Sequence, residues 1–164
     1  MSIHASDPFS TPEELRSPVR RLRGRLPSAV TLWSAENAGL TVSSMLVVDG
    51  EPGRVVGLVD EESDFWTAVE QGRKFAVTLL ADGDQQLADR FAGLMPSPGG
   101  LFVTGDWVQT EWGPVHRDRT WVGCRFDEAR PLGWSLLVEA TVEHIDLESK
   151  KEPLVHERGR YRRR

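Results

Sequence analysis

The sequence predicts a mainly β domain, a small closed or partly closed antiparallel barrel of six or seven strands with two or three short helices. Segments rich in β-branched and aromatic residues recur along the chain, and most are joined by a turn or a single short helix. A late segment alternates, with Leu136, Val138 and Ala140 facing one way and the residues between them the other. The chain has 164 residues, 39% of them hydrophobic and 27% charged, which is typical of one globular domain. Closure into a barrel is favoured because it removes exposed strand edges.

The uneven charge and the absence of a long apolar run argue against nucleic-acid binding and membrane spanning. The formal net charge is −5, and five positive charges lie in the last seven residues, at Arg158, Arg160, Arg162, Arg163 and Arg164. The rest of the chain therefore carries about −10, which argues against a nucleic-acid-binding surface on the fold. No run of 18 apolar residues is present to span a membrane. A single cysteine and a start without a secretory pattern lead us to expect a cytoplasmic protein.

An N-terminal helical segment is predicted over residues 1–25. Thr11 is placed as an N-cap, with Pro12 at the first helical position and Glu14 completing a capping box. Ser17 followed by Pro18 repeats the signal, so a second short helix is expected there.

The central part of the chain is predicted to mix strands with two short helices. The strands cover residues 29–34, 40–48, 54–60 and 74–80, and the helices cover residues 63–72 and 84–91. Ser63 is expected to cap the first of these helices, and Gly93 to end the second.

The last third of the chain is predicted to be β-rich. Strands are expected over residues 102–110, 121–126 and 136–143, with a hairpin turn at residues 131–133 before the alternating strand. An edge strand within residues 153–161 precedes a basic tail, residues 162–164.

The stretch Gly39-Leu40-Thr41-Val42-Ser43-Ser44 is the candidate binding segment. It offers three hydroxyls and a glycine within six residues of a predicted strand. Hydroxyls and accessible backbone N–H groups at a strand end suit a phosphate or another anion. The alternative is a strand edge whose Ser and Thr side chains bond their own backbone.

The order and spacing of several short motifs together resemble the flavin reductase family with the FMN-binding split barrel. The matching segments, in chain order, are Pro27, Val30-Thr31, Gly39 to Ser44, Glu51-Pro52, residues 59–69, residues 72–80, Gln86-Leu87-Ala88, Arg90-Phe91-Ala92-Gly93 and residues 153–161. The resemblance covers residues 26–161 and implies that this region is an FMN-binding split-barrel domain.

The resemblance also implies a flavin site without acid–base residues. Flavin, as FMN or FAD, is expected in a groove close to a homodimer interface, with NADH or NADPH giving hydride to the flavin. A monooxygenase is the expected partner for the reduced flavin. The matched cofactor-binding positions are Thr41, Val42, Ser43, Ser44 and Ser63, with Arg73 or Lys74 as a nearby positive charge.

One departure from the family pattern keeps alternatives open. Many members carry a Gly-Asp-His element near the nicotinamide, and here the place reads Gly133-Trp134-Ser135, so Trp134 is the candidate ring contact. A flavin-binding domain without nicotinamide turnover and a split-barrel oxidoreductase using a deazaflavin are therefore the alternatives.

The second departure is a group of carboxylates around Ser63, at Glu61, Glu62 and Asp64, which are expected to point to solvent because they would repel a phosphate. No metal site is predicted, since His144 and His156 lack a second ligand at metal spacing.

Overall fold

The structure is a computed structural model and describes residues 17–148 and 150–162. Within them the chain forms three helices, α1 (Pro18–Gly24), α2 (Asp64–Gly72) and α3 (Gln85–Phe91). The strands of the same residues are β1 (Ser28–Ala29), β2 (Thr31–Ala35), β3 (Ala38–Val42), β4 (Met45–Val48), β5 (Arg54–Val59), β6 (Lys74–Leu79), β7 (Trp107–Thr110), β8 (Gly113–His116), β9 (Trp121–Leu132), β10 (Ser135–Asp146), β11 (Val155–Glu157) and β12 (Arg160–Tyr161). None of these helices is long and apolar enough to cross a membrane.

A curved, seven-stranded antiparallel sheet dominates the fold, with the strand order β3-β2-β6-β9-β10-β5-β4. A three-stranded sheet, β1-β11-β12, and the β7–β8 hairpin complete the described strands. The prediction of a mainly β split barrel with short helices is confirmed.

The inner face of the large sheet holds the main core. Trp33, Phe65 and Phe75 are fully buried there, and the rings of Trp33 and Phe75 stack with centroids 4.9 Å apart. Helix α2 supplies Phe65 because its first apolar residues follow the Ser63 cap directly. Burial of these aromatic side chains stabilises the half-barrel.

The other face of the large sheet is covered by described residues over β3, β2 and β6. Helix α3 packs on β2 and β3, and the β7–β8 hairpin packs on β2 and β6. The same face of β10, β5 and β4 carries half-buried Val56, Leu58 and Leu137, and Leu46 there is 68% exposed. We call this part the outer face.

Several predicted elements are confirmed. Ser17 caps α1 by accepting a hydrogen bond from the Arg20 N–H, and Ser63 caps α2. Helix α3 lies where it was predicted. The helix start predicted at Thr11 lies outside the described residues.

The predicted strand over residues 40–48 was wrong in one respect, because it is two strands. β3 and β4 lie at opposite edges of the sheet, and the chain passes from one edge to the other at Ser43 and Ser44. The Leu58 N–H donates to the Ser44 carbonyl at 3.1 Å, and this contact brings the two edges together.

Two predictions in the last third of the chain also need correction. Only Trp107–Thr110 of the strand predicted over residues 102–110 is a strand. β9 continues to Leu132, so the hairpin turns at Gly133 and Trp134. Gly133 has φ 59°, a conformation that glycine adopts without a steric penalty.

Candidate functional site

The break between β3 and β4 presents two hydroxyl groups. Ser43 and Ser44 are half-buried, and neither side chain makes a hydrogen bond within the described residues. β3 is an edge strand, so one row of its backbone N–H and C=O groups faces away from β2. Free hydroxyls beside unpaired backbone groups are suitable donors for a polar or anionic ligand.

The N-terminus of α2 lies at the same end of β5. β5 ends at Val59, and the turn that follows leads directly to Ser63. The Ser63 hydroxyl donates to the Asp60 carbonyl at 2.7 Å and accepts from the Trp66 N–H at 3.2 Å. Its proton is therefore committed to the turn, and Ser63 contributes mainly by fixing the helix terminus.

The carboxylates next to Ser63 point to solvent, as expected. Glu61, Glu62 and Asp64 are all exposed. A carboxylate about 4 Å from a phosphate charge would cost about 4 kcal/mol at an effective dielectric near 20, and exposure reduces that cost. Because the Ser63 proton is committed to the turn, the hydroxyl donors open to a phosphate at this end are those of Ser43 and Ser44.

The side chains of two predicted ligands on β3 are engaged within the protein, which leaves their backbone groups as the predicted contacts. Thr41 is fully buried, and its hydroxyl donates to the Ala88 carbonyl of α3 at 2.6 Å. The Val42 side chain is fully buried in the inner core, and its carbonyl accepts from the Thr31 hydroxyl at 2.7 Å. Neither side chain is available to a ligand, because successive residues of β3 point to the two covered faces of the sheet.

Arg73 and Lys74 are not brought to this end of the molecule. Arg73 is the C-cap of α2, at the opposite end of a nine-residue helix from Ser63, which places the two about 14 Å apart. Its guanidinium lies 5.6 Å from the centroid of the Phe126 ring. Lys74 begins β6 and is exposed. The structure therefore does not combine these cations with the serines in one phosphate site.

Trp134 lies at the tip of the β9–β10 hairpin. Leu136, two residues further on, pairs with Val59 at the end of β5. The hairpin tip thus extends from the same end of the sheet as Ser44 and Ser63. The Trp134 ring is fully exposed at 102%. A large aromatic side chain so exposed is suited to cover a planar ligand or a protein partner.

The sequence analysis missed the contribution of Gly57. A Cβ atom at this position would lie 2.5 Å from the Trp33 ring and 3.3 Å from the Ser44 carbonyl. Glycine therefore lets the chain at Ser44 approach β5 closely. The isolated glycine within the apolar strand Arg54–Val59 was the available signal.

The described residues give little support to a metal site or to a reactive cysteine. Within them, no three His, Cys, Asp or Glu side chains are grouped to hold a metal ion. Burial, with the nearby charges of Glu143 and Asp127, raises the pKa of Cys124 to about 12, so its thiol is unreactive at neutral pH. The hydroxyl and aromatic groups at the end of β5 remain the candidate site.

Comparison with known proteins agrees with this architecture. The family model described as "Flavin reductase like domain" matches residues 23–164. A relative from Thermus thermophilus, "4-hydroxyphenylacetate 3-monooxygenase, reductase component", is 27% identical over 153 residues, covering 91% of this chain and 97% of the relative. The "NADH:FMN oxidoreductase" of Rhodococcus qingshengii is 29% identical, covering 85% of this chain and 77% of the relative.

A solved structure shows the same fold. The "NADH:FAD oxidoreductase SgcE6" of Streptomyces globisporus superposes with a TM-score of 0.81 at 23% identity, covering 94% of this chain and 95% of that one. With a family model matching nearly the whole chain, the protein belongs to the flavin reductase like family.

Proposed function

We propose that the protein is an NAD(P)H-dependent flavin reductase that binds FMN at the end of β5. The observation that carries the proposal is the break at Ser43 and Ser44, where two hydroxyls without a hydrogen bond to any described residue lie beside an open strand edge. Family membership and the names of the relatives support the same reaction.

The residues at this end of the sheet fit a flavin in their donor chemistry. The hydroxyls of Ser43 and Ser44 would donate hydrogen bonds to the phosphate or the ribityl chain. Backbone groups on the free edge of β3 would bond the polar edge of the ring. When bound, the flavin supplies the redox chemistry by accepting hydride from the nicotinamide donor.

Trp134 has a positioning role in this proposal. Its indole extends from the hairpin tip and would pack against a ring system held at Ser43 and Ser44, and water would be excluded from the covered side. No acid–base residue is required, because hydride transfer between two stacked rings needs no proton transfer from a side chain.

One observation favours a second function. The hairpin tip carries Trp134, where many family members have a histidine near the nicotinamide. A flavin-binding protein without nicotinamide turnover is therefore the alternative. It predicts FMN binding with no oxidation of NADH or NADPH.

The proposed partners follow from the relatives. Relatives include the reductase component of a two-component monooxygenase. We propose that this protein likewise supplies reduced flavin to a monooxygenase and that it acts as a homodimer.

The test is an FMN titration followed by a nicotinamide oxidation assay. We expect quenching of flavin fluorescence on binding, and oxidation of NADH or NADPH that depends on added FMN. Parallel assays with FAD and with each nicotinamide establish the substrate preference. Binding without oxidation would support the alternative, and a protein that takes up no flavin would contradict both.

A further inference from the structure

Two arginine-rich segments from opposite ends of the described chain meet on one surface. The β11–β12 hairpin turns at Arg158, whose N–H donates to the carbonyl of Gly24 at the end of α1, with 2.7 Å between the nitrogen and the oxygen. We call this the arginine surface, and its members are Arg20, Arg21, Arg23, Arg25, Arg158, Arg160 and Arg162. The tertiary contact between hairpin and helix is what concentrates their charge.

The arginine surface is a positive region on an otherwise acidic protein. The net charge of the chain is −5, so without these seven positive charges the remainder carries −12. Arg162 pairs with Glu157 at 2.9 Å. Arg21, Arg158 and Arg160 are exposed and form no ion pair within the described residues. These three charges are therefore open to an anion that arrives from solvent.

The arginine surface lies beside the candidate flavin site. Thr31, at the start of β2, pairs with Val42, the residue before Ser43. Ala29 of β1 is two residues from Thr31, about 6.6 Å along the chain, and it pairs with Val155 of β11. Neighbouring strands are about 4.8 Å apart, so the sheet that carries the hairpin arginines begins on the order of 10 Å from Ser43.

Helix α3 makes a second connection between the arginine surface and the flavin site. The hydroxyl of Tyr161 in β12 donates to the carboxylate of Asp89 in α3. The preceding residue of that helix, Ala88, accepts the hydrogen bond of Thr41, which lies two residues before Ser43. Two independent sets of contacts therefore fix the position of the arginine surface relative to the serines.

We propose that the arginine surface attracts a phosphate-bearing flavin from solvent and raises the rate at which it reaches Ser43 and Ser44. The proposal rests on the flavin reductase function proposed above and adds the entry route of its substrate. A phosphate monoester such as FMN carries about two negative charges, and the acidic remainder of the protein would repel it. An extended polyanion such as a nucleic acid would also meet that acidic remainder, so the charge distribution favours a small phosphate ester.

Electrostatic attraction of this kind acts on association and is removed by salt. A cleft lined by one sign of charge raises association rates by about tenfold or more. The Debye length is about 30 Å at 0.01 M ionic strength and about 8 Å at 0.15 M, so the arginines reach the flavin site at low salt and are largely screened at high salt. They act before the flavin is bound, so kcat at saturating flavin should stay unchanged.

The experiment measures the association rate constant of FMN by stopped-flow fluorescence quenching, from about 0.01 to about 0.3 M ionic strength. Riboflavin, which lacks the phosphate, is the neutral probe. For the natural protein we expect FMN association to slow by about fivefold over this range, and riboflavin association to change by less than about twofold. Arg21→Gln combined with Arg160→Gln should slow FMN association by about fivefold at low salt and leave riboflavin unaffected.

Two controls test the charge and its location. Arg21→Lys combined with Arg160→Lys keeps both charges, and FMN should associate with it at the natural rate. Gln71→Glu changes the net charge as much as Arg160→Gln alone, but Gln71 is exposed near the end of α2 that is far from Ser63. We expect Gln71→Glu to slow FMN association less than Arg160→Gln does, and circular dichroism checks the fold of every variant.

Three results would overturn the proposal: FMN association as fast in the double glutamine variant as in the natural protein, riboflavin association slowed as much as that of FMN, or a double lysine variant as slow as the glutamine one. The measurement needs no nicotinamide. A protein that binds FMN at a salt-dependent rate but oxidises no NADH or NADPH would therefore contradict the proposed function and leave the entry surface standing. Normal reductase activity with an unchanged glutamine variant would do the reverse, and a protein that takes up no FMN would contradict both.

Discussion

The hydroxyl of Thr41 donates a hydrogen bond to the backbone carbonyl of Ala88, with 2.6 Å between the two oxygens. The bond ties β3 to α3 across the buried side of the sheet. Thr41 thus has a structural role, although it lies within the stretch that the sequence marks for binding.

Thr41→Val tests that role. The variant keeps the shape of the side chain and removes the donor, while the Ala88 carbonyl keeps its bond from the Ala92 N–H. We expect a loss of about 1 kcal/mol in the free energy of unfolding. Flavin affinity should stay the same, as measured by urea denaturation and FMN titration of the same protein. A large fall in affinity without a loss of stability would place Thr41 in the binding site after all.

Ser43→Ala combined with Ser44→Ala tests the proposed donors. Because these hydroxyls make no hydrogen bond within the described residues, stability should change little. The free energy of FMN binding should become less favourable by about 1–3 kcal/mol, the usual loss for hydrogen bonds to a charged group. Fluorescence titration measures the affinity, and Thr41→Val serves as the control. Unchanged affinity would show that the phosphate binds elsewhere.

Trp134→Ala tests the ring contact at the hairpin tip. Trp134 is fully exposed in the protein alone, so its removal should not destabilise the fold. We expect FMN or nicotinamide binding to weaken by about 1 kcal/mol, as for a lost aromatic contact. Trp134→Phe should retain most of the binding. If Trp134→Ala binds both ligands and turns over normally, the ring has no part in the site.

Asp84→Asn tests a largely buried ion pair. Both side chains are mostly buried, 14% exposed at Arg119 and 10% at Asp84, and the carboxylate accepts two bonds of 2.8 Å from the guanidinium. Burial disfavours the charged carboxylate, but the hydrogen bonds from Arg119 and the Ala81 N–H outweigh it and lower the pKa of Asp84. We expect the free energy of unfolding of the variant to be lower by about 3 kcal/mol at pH 7.

The stability that ionised Asp84 contributes decreases as the pH falls. Because the folded pKa of Asp84 is lowered, its contribution is complete above the unfolded pKa of about 3.9 and is lost as the pH falls below it. The stability gap between the natural protein and Asp84→Asn should therefore narrow below about pH 4. Denaturant unfolding across this range measures the gap. Asp82→Asn, an exposed change in the same turn, is the control, and its free energy of unfolding should equal that of the natural protein at each pH.

The buried ring of His156 leads us to expect a second dependence of folding stability on pH. Burial, reinforced by the charge of Arg23, lowers the pKa of His156, and its Nε2 is buried without a hydrogen-bond partner among the described residues. The folded state therefore favours the neutral ring, and stability should decrease as the pH falls below about 6.5, the value in an unfolded chain. His156→Phe should flatten the change in unfolding temperature between pH 7.5 and pH 5, about the range in which histidine titrates. An identical slope in both proteins would contradict the prediction.

Helix α2 and strand β10 could be predicted well because their signals are local. Ser63 lies immediately before the helix that it caps, and the alternation of β10 shows directly which residues face the core. The break at Ser43 could not be predicted in this way. The residues on both sides are apolar and favour strands, so the local pattern continues without interruption from β3 into β4.

The sequence by itself determined the class of the fold, most of its helices and strands, and the stretch that contains Ser43 and Ser44. It could do so because capping and alternation depend on neighbouring residues. Only the tertiary structure decided which hydroxyls are available. Packing of α3 on β3 buries Thr41, and the passage of the chain between the two edges of the sheet leaves the two serines at their junction. The length of α2 separates Arg73 from Ser63. Such contacts join residues far apart in the chain, and the local sequence carries no signal for them.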